Sequence, residues 1–210
     1  MNAMRKLKSC TWLIVALVGL MLTGCKPAVT VNSEAETDGV ERESDVKIVA
    51  NEMPSEESKS SMLAAKEALF QRLSGALMEA MIEGGPTAAI KVCQSKAPAI
   101  AKEVSQEYGL KIGRTGVRLR NPKNLAPQWS SELTEELTDT PQFLSLSNGH
   151  SAALLPIKLQ AQCVMCHGPE DQIIPEVKSE LAKVYPDDQA IGFQEGELRG
   201  WFWIEMPSQS

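Results

Sequence analysis

The stretch FLSLSNGHSAALLPIKL, residues 143–159, decides the fold class of this chain. Apolar residues dominate its two ends, and the Asn148-Gly149 dipeptide between them favours the tight turn of a β-hairpin. Pro156 has no N–H to donate, which predicts that the second strand is an edge strand or carries a bulge. The stretch therefore predicts two antiparallel strands, over residues 143–146 and 151–159.

Helical patterns precede this hairpin. Residues 62–81 carry apolar side chains at steps of three and four, and the pattern stops at Gly84-Gly85-Pro86. We expect this first helix to begin at Ser60 or Ser61, because a serine hydroxyl can cap a helix. A second helix is predicted over residues 87–108, bent at Pro98 because the proline ring removes a donor and crowds the preceding turn.

The remaining elements are short. Strands are predicted over residues 110–114 and 201–204, and helices over residues 130–138 and 175–185. Helices followed by short strands, without regular alternation, are typical of an α+β fold with an antiparallel sheet. The sequence therefore predicts an α+β domain with an N-terminal helical part and flanking helices.

A cysteine-histidine motif follows the hairpin directly. Cys163, Cys166 and His167 have the spacing that attaches a c-type haem, in which both sulfurs add to the vinyl groups. The imidazole then takes one axial position on the iron. A structural zinc site that also used Cys93 is the main alternative. A thioredoxin-like redox pair is disfavoured because Gly168-Pro169 comes immediately after the motif, and a plain disulfide would leave the histidine unexplained. The motif predicts one covalent haem c.

The N-terminus has the pattern of a targeting segment. A basic start precedes an apolar run over residues 12–22, which is too short for a comfortable membrane span. The run ends at Leu22-Thr23-Gly24-Cys25, which resembles the lipobox of bacterial lipoproteins. We interpret residues 1–24 as a signal peptide and Cys25 as the site of a lipid anchor, with an uncleaved anchor helix as the alternative. Lys26 slightly favours the outer membrane, with the protein body on the periplasmic side.

An acidic segment follows the anchor. Residues 25–59 are rich in acidic and small polar residues and are predicted to form a disordered tether, so the haem domain is expected over residues 60–210. The formal net charge of -6 becomes -9 on processing, since residues 1–24 carry three positive charges and no acid. Nucleic-acid binding is therefore not expected, because it needs basic surface.

Cysteine usage singles out one thiol. Of the five cysteines, Cys10 leaves with the signal peptide, Cys25 takes lipid and two attach haem, which leaves Cys93. Most free cysteines are buried small hydrophobes, and haem ligation is the alternative. His150, the only other histidine, or a methionine of the first helix could also be the second axial ligand.

Three arginines form a basic group on this acidic chain. Arg114, Arg118 and Arg120 could bind the haem propionates, because guanidinium groups match carboxylates in geometry and charge. A solvated basic loop is the alternative interpretation.

Four separated motifs extend the argument beyond the cysteines. They resemble those of a bacterial family of c-type haem domains with a PAS-like fold, found as exported single-domain proteins and as extracytoplasmic sensor domains. The motifs lie at residues 89–101, 114–124, 163–168 and 185–200. The resemblance implies a PAS-like antiparallel sheet with flanking helices, and it implies His167 and Cys93 as the axial ligands.

These features predict an exported, lipid-anchored, monohaem c-type cytochrome-like protein that acts in electron transfer. Two firm axial ligands leave no open site on the iron, which argues against oxygen carriage. The alternative is a haem-based sensor of redox state or of a small ligand, which would act through a separate protein partner. A dedicated enzyme is less expected, since no acid-base or nucleophile arrangement stands out.

Overall fold

The computed structural model describes residues 46–208. The predicted signal peptide, Cys10, the predicted lipidation site Cys25 and the predicted tether up to residue 45 lie outside the described residues. No helix among the residues described is both long and apolar enough to cross a membrane.

Five antiparallel strands form one open sheet. Their order across the sheet is β1-β3-β4-β5-β2. The strands are β1 Ile48–Val49, β2 Lys111–Gly116, β3 Gln142–Leu146, β4 Ser151–Lys158 and β5 Leu198–Met206. Strands β3 and β4 form the hairpin expected from the Asn148-Gly149 turn, and Gly149 has the positive φ of 79° that such a turn needs. The predicted α+β class and its antiparallel sheet are confirmed.

Of the two alternatives predicted for the strand that contains Pro156, an edge position or a bulge, the edge position does not apply, because β4 lies inside the sheet between β3 and β5. However, β3 begins at Gln142, opposite Leu154, so Pro156 has a neighbour only on the β5 side. The missing N–H therefore costs no ladder hydrogen bond with β3. The bulge expected near the proline is present as a register shift between Ile157 and Lys158.

Helices account for most of the remaining described chain. The α-helices are α1 Glu56–Lys91, α2 Ala97–Tyr108, α3 Ser131–Glu135, α4 Val164–His167 and α5 Pro175–Val184. A π-helical turn, Val92–Lys96, joins α1 to α2, and 3-10 turns cover Gln128–Ser130, Ala161–Cys163 and Glu170–Gln172.

Helix α1 begins before the predicted position. The hydroxyl of Ser55, instead of Ser60 or Ser61, accepts a hydrogen bond of 3.1 Å from the Ser58 N–H, and acidic residues in the first turn complement the helix dipole. Strand β1 also lies within the predicted tether and pairs with β3. Residues 46–59 are therefore folded, because pairing with β3 and the cap supply hydrogen bonds that composition does not reveal.

Two irregularities shape the long helical segment. Gly85 has a φ of 70° inside α1, and Pro86 follows it, so the predicted helix end is a kink after which the helix resumes. The bend expected at Pro98 is the π-helical turn, in which the Ala97 N–H bonds to the Val92 carbonyl five residues earlier. This wider turn precedes a proline that cannot donate to its own preceding turn, and it contains Cys93.

The helices and loops cover both faces of the sheet. Helices α1 and α2 pack on one face through Met62, Leu69 and Val104, all of which are fully buried. Trp129 and Trp201 anchor the core on the other face. A third cluster contains Ile90 of α1, residues of α5 and the partly buried Cys166. This cluster connects the end of α1 with the cysteine-histidine motif.

Candidate functional site

The cysteine-histidine motif occupies a tight segment after β4. The 3-10 turn Ala161–Cys163 leads into α4, which ends at Gly168. A side chain at position 168 would collide with the Val164 carbonyl, so glycine allows the chain to turn there. Cys163 and Cys166 are half-buried, and neither forms a disulfide. Two free thiols are thus held on one short segment, next to a histidine.

Cys93 lies near this motif although it is 70 positions before Cys163 in the chain. The charges of Arg114, Arg120 and Cys163 all act on its thiol. Burial raises the pKa of Cys93, and the arginines oppose that rise. The fold therefore brings a third free thiol to the motif, where burial has a larger effect on its pKa than the neighbouring arginines.

The ring of His167 is held in one orientation. Its Nδ1 lies 2.7 Å from the Ala190 carbonyl oxygen, and because a carbonyl only accepts, we assign the proton to Nδ1. The Arg199 Nε, 3.3 Å from the same nitrogen, is then a neighbouring cation and no donor to it. This leaves the lone pair on Nε2, which is the form that binds a metal.

The protonation of His167 follows from its neighbours. Burial, Arg120 and Arg199, in that order of effect, hold the pKa of this imidazole well below its usual value. The ring is therefore neutral at physiological pH, as metal ligation requires.

Arg120 and Asp188 form a buried ion pair beside the motif. The Arg120 Nε lies 2.8 Å from Asp188 Oδ2, and each side chain is 10% exposed. The Arg120 Nη2 donates to the carbonyls of Cys166 and Ala190, and Nη1 lies 3.4 Å from His167 Nε2. Asp188 also accepts from the Ala190 N–H at 2.8 Å. The pair thereby fixes the motif to the segment that orients His167.

Arg118 and Arg199 lie against the ring of Phe193. Their guanidinium carbons are 4.0 and 5.3 Å from its centroid. Arg118 donates to the Ile191 carbonyl at 2.8 Å, and Arg199 donates to the Arg118 carbonyl at 3.0 Å. Burial, followed by the charge of Arg120, lowers the pKa of Arg199 to about 10.

Arg199 was missed by sequence reasoning as a site residue. It lies inside the fourth motif, at residues 185–200. The presence of a fourth arginine within the four motifs was the sequence signal that could have identified it. Its position also depends on Gly116 of the paired strand, where a Cβ would collide with Arg199 Nη1.

Arg114 differs from the other arginines. It follows Ile112 by two residues on β2 and therefore lies on the sheet face that α1 and α2 cover. Burial lowers its pKa, while Cys93 and Tyr185 act in the opposite direction. Among the residues described, Arg120 is the arginine of this group that pairs with a carboxylate, so the four guanidinium groups leave a surplus of positive charge.

Two sequence alternatives do not fit the structure. His150 precedes β4, whose first residue Ser151 pairs with Met206 of β5, whereas the ring of His167 lies 3.3 Å from Arg199 near the other end of β5. Seven residues of strand separate these two positions on β5 and span about 23 Å. His150 and His167 therefore cannot share one haem iron. The part of the chain that the structure describes also holds no group of three or more cysteine, histidine or acidic residues placed to bind a metal ion, so the ligands of the alternative zinc site are not assembled.

The chain matches the sequence model of the Tll0287-like family over residues 31–207. It belongs to the Tll0287-like family. The fold of this family member is similar to the crystal structure of the cyanobacterial haem protein Tll0287, with a TM-score of 0.56 and 22% sequence identity. The similarity covers 75% of this chain and 99% of that chain. No functionally curated protein matches the chain.

The site of this Tll0287-like chain has the donor set that a c-type haem needs. Two half-buried free thiols lie beside a neutral imidazole whose Nε2 carries the lone pair, and a third thiol lies within their electrostatic reach. The surplus of guanidinium charge suits two carboxylates. The residues therefore fit a haem. The PAS-like character of the fold stays a prediction.

Proposed function

We propose that the chain binds one covalent haem c and acts as an exported, lipid-anchored electron carrier. The observation that carries this proposal is the convergence of Cys93 with Cys163, Cys166 and His167 at a site rich in arginine. Haem would supply a centre that gains and loses one electron. The structural relative is a haem protein by name, which supports the choice of cofactor.

Cys163 and Cys166 would hold the haem through thioether bonds, and His167 would be one axial ligand. The hydrogen bond from His167 Nδ1 to the Ala190 carbonyl supports this assignment, because it orients the ring and makes Nε2 a better donor. The Arg120–Asp188 pair would hold the motif in a fixed position relative to residue 190.

Cys93 would be the other axial ligand. Its thiol is near the motif, and three arginines oppose the effect of burial on it. A thiolate donates strongly to iron and lowers the reduction potential. With His167 and Cys93 both bound to it, the iron would have no site for a substrate, which favours electron transfer over catalysis.

The arginines would bind the haem propionates. Arg118 and Arg199 are stacked on Phe193, and each donates a hydrogen bond to a backbone carbonyl. Their guanidinium groups are therefore already oriented in the absence of an anion. Arg120 is less suited, because its Nε and Nη2 already bind Asp188 and two carbonyls. Arg118 and Arg199 are therefore the preferred propionate partners. Arg114 is less suited, because the charged group that acts most strongly on it is Cys93.

One observation supports the alternative function, a haem-based sensor. Cys93 lies in a π-helical turn, and such turns are rare in proteins and frequent at functional sites. A shift of this turn would release Cys93 from the iron, as a sensor of redox state or of a small ligand would require. The lipid anchor at Cys25 and a periplasmic location remain proposals from the sequence.

The decisive experiment is spectroscopy of the mature domain produced with a c-type haem maturation system. Haem that resists acid-acetone extraction, together with a low-spin thiolate-histidine electron paramagnetic resonance signal, supports the proposal. Extractable haem, or zinc in place of iron, would refute it. Exposure to carbon monoxide separates the two functions, because an inert haem favours electron transfer and rapid uptake favours sensing.

A matched pair of variants tests the ligand assignment. Cys93→Ser should remove the thiolate signal, while the control Cys166→Ser should leave one thioether bond and the axial thiolate. If Cys93→Ser retains the wild-type spectrum, another residue is the second ligand.

A further inference from the structure

A groove of about 680 Å³ lies at the edge of the sheet, between α2 and strand β2. Strand β2 is at one end of the strand order and is therefore an edge strand. Grooves that bind small organic ligands measure about 300–1,000 Å³, so this one has a suitable size. Among the described residues that line it, none belongs to the proposed haem site. A function of the groove is therefore separate from haem attachment.

The lining of the groove is largely apolar. Apolar side chains reach it from α2, from β2 and from the C-terminal part of the chain, namely Pro98, Ala101, Ile112, Trp203 and Pro207. The Trp203 indole lies across the backbone of Gly113, where a Cβ would collide with it. Glycine at that position thus lets a flat aromatic ring reach the groove. Such a ring stacks favourably on a planar ligand.

The indole N–H of Trp203 has no hydrogen-bond partner in the described part of the chain. By contrast, Trp129 Nε1 donates to Glu205 at 2.7 Å and Trp201 Nε1 donates to the Thr138 carbonyl at 2.6 Å. Trp203 is half-buried, and its nitrogen is not among the buried atoms that lack a partner. The N–H is therefore a donor that an acceptor in the groove can use.

His150 brings a second nitrogen without a partner to the groove. The residue lines the groove, and its Nδ1 is buried and forms no hydrogen bond with the described residues. Buried polar atoms nearly always have a partner, because leaving one unsatisfied costs free energy. Rotation about χ2 exchanges the positions of nitrogen and carbon in the ring, so the imidazole can turn a nitrogen toward a polar group of a ligand.

The charges of the groove favour an anion. Two lysines and one carboxylate line it within the described chain. The carboxylate, Glu205, already accepts from Trp129 and lies 3.6 Å from Lys111, so its charge is compensated. Lys102 forms no ion pair with any described residue. An acidic group in the groove would therefore meet a cation that has no other partner.

We propose that this groove binds a small planar aromatic carboxylate. The aromatic body stacks on the Trp203 indole among the apolar lining residues, and the carboxylate takes hydrogen bonds from the Trp203 N–H, from Lys102 and from the His150 imidazole. The proposal goes beyond electron transfer and does not depend on which residues ligate the haem. Its failure would leave the proposed function untouched.

The first test compares two probes of the same shape in the purified haem-loaded protein. Naphthoate is a planar aromatic carboxylate, and naphthamide has the same rings with a neutral amide in place of the charge. Isothermal titration calorimetry should show one site that binds naphthoate about tenfold more tightly than naphthamide, because charge-assisted hydrogen bonds are stronger than neutral ones. Equal affinities, or no binding of naphthoate at millimolar concentration, would overturn the proposal.

Variants locate the bound naphthoate. Lys102→Gln, Trp203→Phe and His150→Phe each remove one polar partner and keep most of the side-chain volume, and each should weaken binding about three- to tenfold. Lys91→Gln is the matched control, since Lys91 lines a different groove between α1 and α5, and it should bind naphthoate like the wild type. A loss in Lys91→Gln as large as in Lys102→Gln would show that naphthoate responds to general charge and would contradict the site.

Nuclear magnetic resonance gives a readout that needs no variant to fold. In the reduced protein with isotope-labelled tryptophan, naphthoate should shift the indole N–H signal of Trp203. The signals of Trp129 and Trp201 should stay in place, because both N–H groups already have partners. A Trp203 signal that does not move at saturating naphthoate, or that moves no more than the other two, would refute the proposal.

Discussion

Replacement of Asp188 by asparagine removes one charge of a buried ion pair and keeps the shape of the side chain. Arg120 would then hold a guanidinium charge at 10% exposure without a carboxylate partner, beside His167 and near Arg199. Breaking a buried pair in this way costs about 3–5 kcal/mol. We expect the lower end, about 3 kcal/mol, because the amide oxygen of asparagine can still accept hydrogen bonds.

The free energy of unfolding of the haem-loaded domain measures this effect. Reversible urea unfolding followed by far-ultraviolet circular dichroism should show a lower midpoint with an unchanged slope. Thermal unfolding should shift by roughly 6–12 °C, since 1 kcal/mol corresponds to about 2–4 °C at this domain size.

A second aspartate provides the matched control. Asp139 lies at the same distance, 2.8 Å, from Lys158, but these side chains are 59% and 46% exposed. Asp139→Asn should leave the unfolding midpoint nearly unchanged, because exposed pairs are screened by solvent. If Asp188→Asn is no more destabilising than Asp139→Asn, the reasoning from burial is refuted. Arg120→Gln combined with Asp188→Asn should cost less than the sum of the single changes, since no unpaired charge remains.

Three further outcomes are expected. His150→Ala should leave the ferric absorption spectrum unchanged, because β4 separates this residue from the motif, and an altered spectrum would return it to the list of ligands. Gly116→Ala should displace the Arg199 guanidinium, because the added Cβ would collide with it. We expect the free energy of unfolding in urea to fall by about 1–3 kcal/mol and the reduction potential to change. An unchanged potential would contradict the placement of Arg199 at the haem. Ser55→Ala should lose the cap hydrogen bond at the start of α1 and lower the stability by about 1 kcal/mol, visible as a drop in the thermal midpoint without any change in the haem spectrum.

The local elements of the fold were predictable because their signals lie within a few residues. The apolar periodicity before Gly85, the hairpin dipeptide Asn148-Gly149 and the proline at 98 each produced the expected helix, turn or bend. Errors arose where pairing partners were distant. Residues 46–59 are folded through β3, and the surroundings of Pro156 depend on where β3 begins.

The motif of Cys163, Cys166 and His167 was determined by the sequence itself, because its chemistry depends on spacing along a single segment. The sequence also isolated Cys93 as the remaining thiol, and only a family resemblance joined it to the motif.

Tertiary structure decided which groups surround that motif. It placed Cys93 in a π-helical turn within electrostatic reach of Cys163, separated His150 by the length of a strand, and bound Arg120 to Asp188. It also packed Tyr185 into the cluster that joins Ile90 of α1 to Cys166 of the motif. The physical reason is that contacts between residues some 70 or 100 positions apart depend on how the helices pack on the sheet. The spacing of apolar residues at two or 3.6 positions predicts which face of an element is buried, but it does not predict that packing.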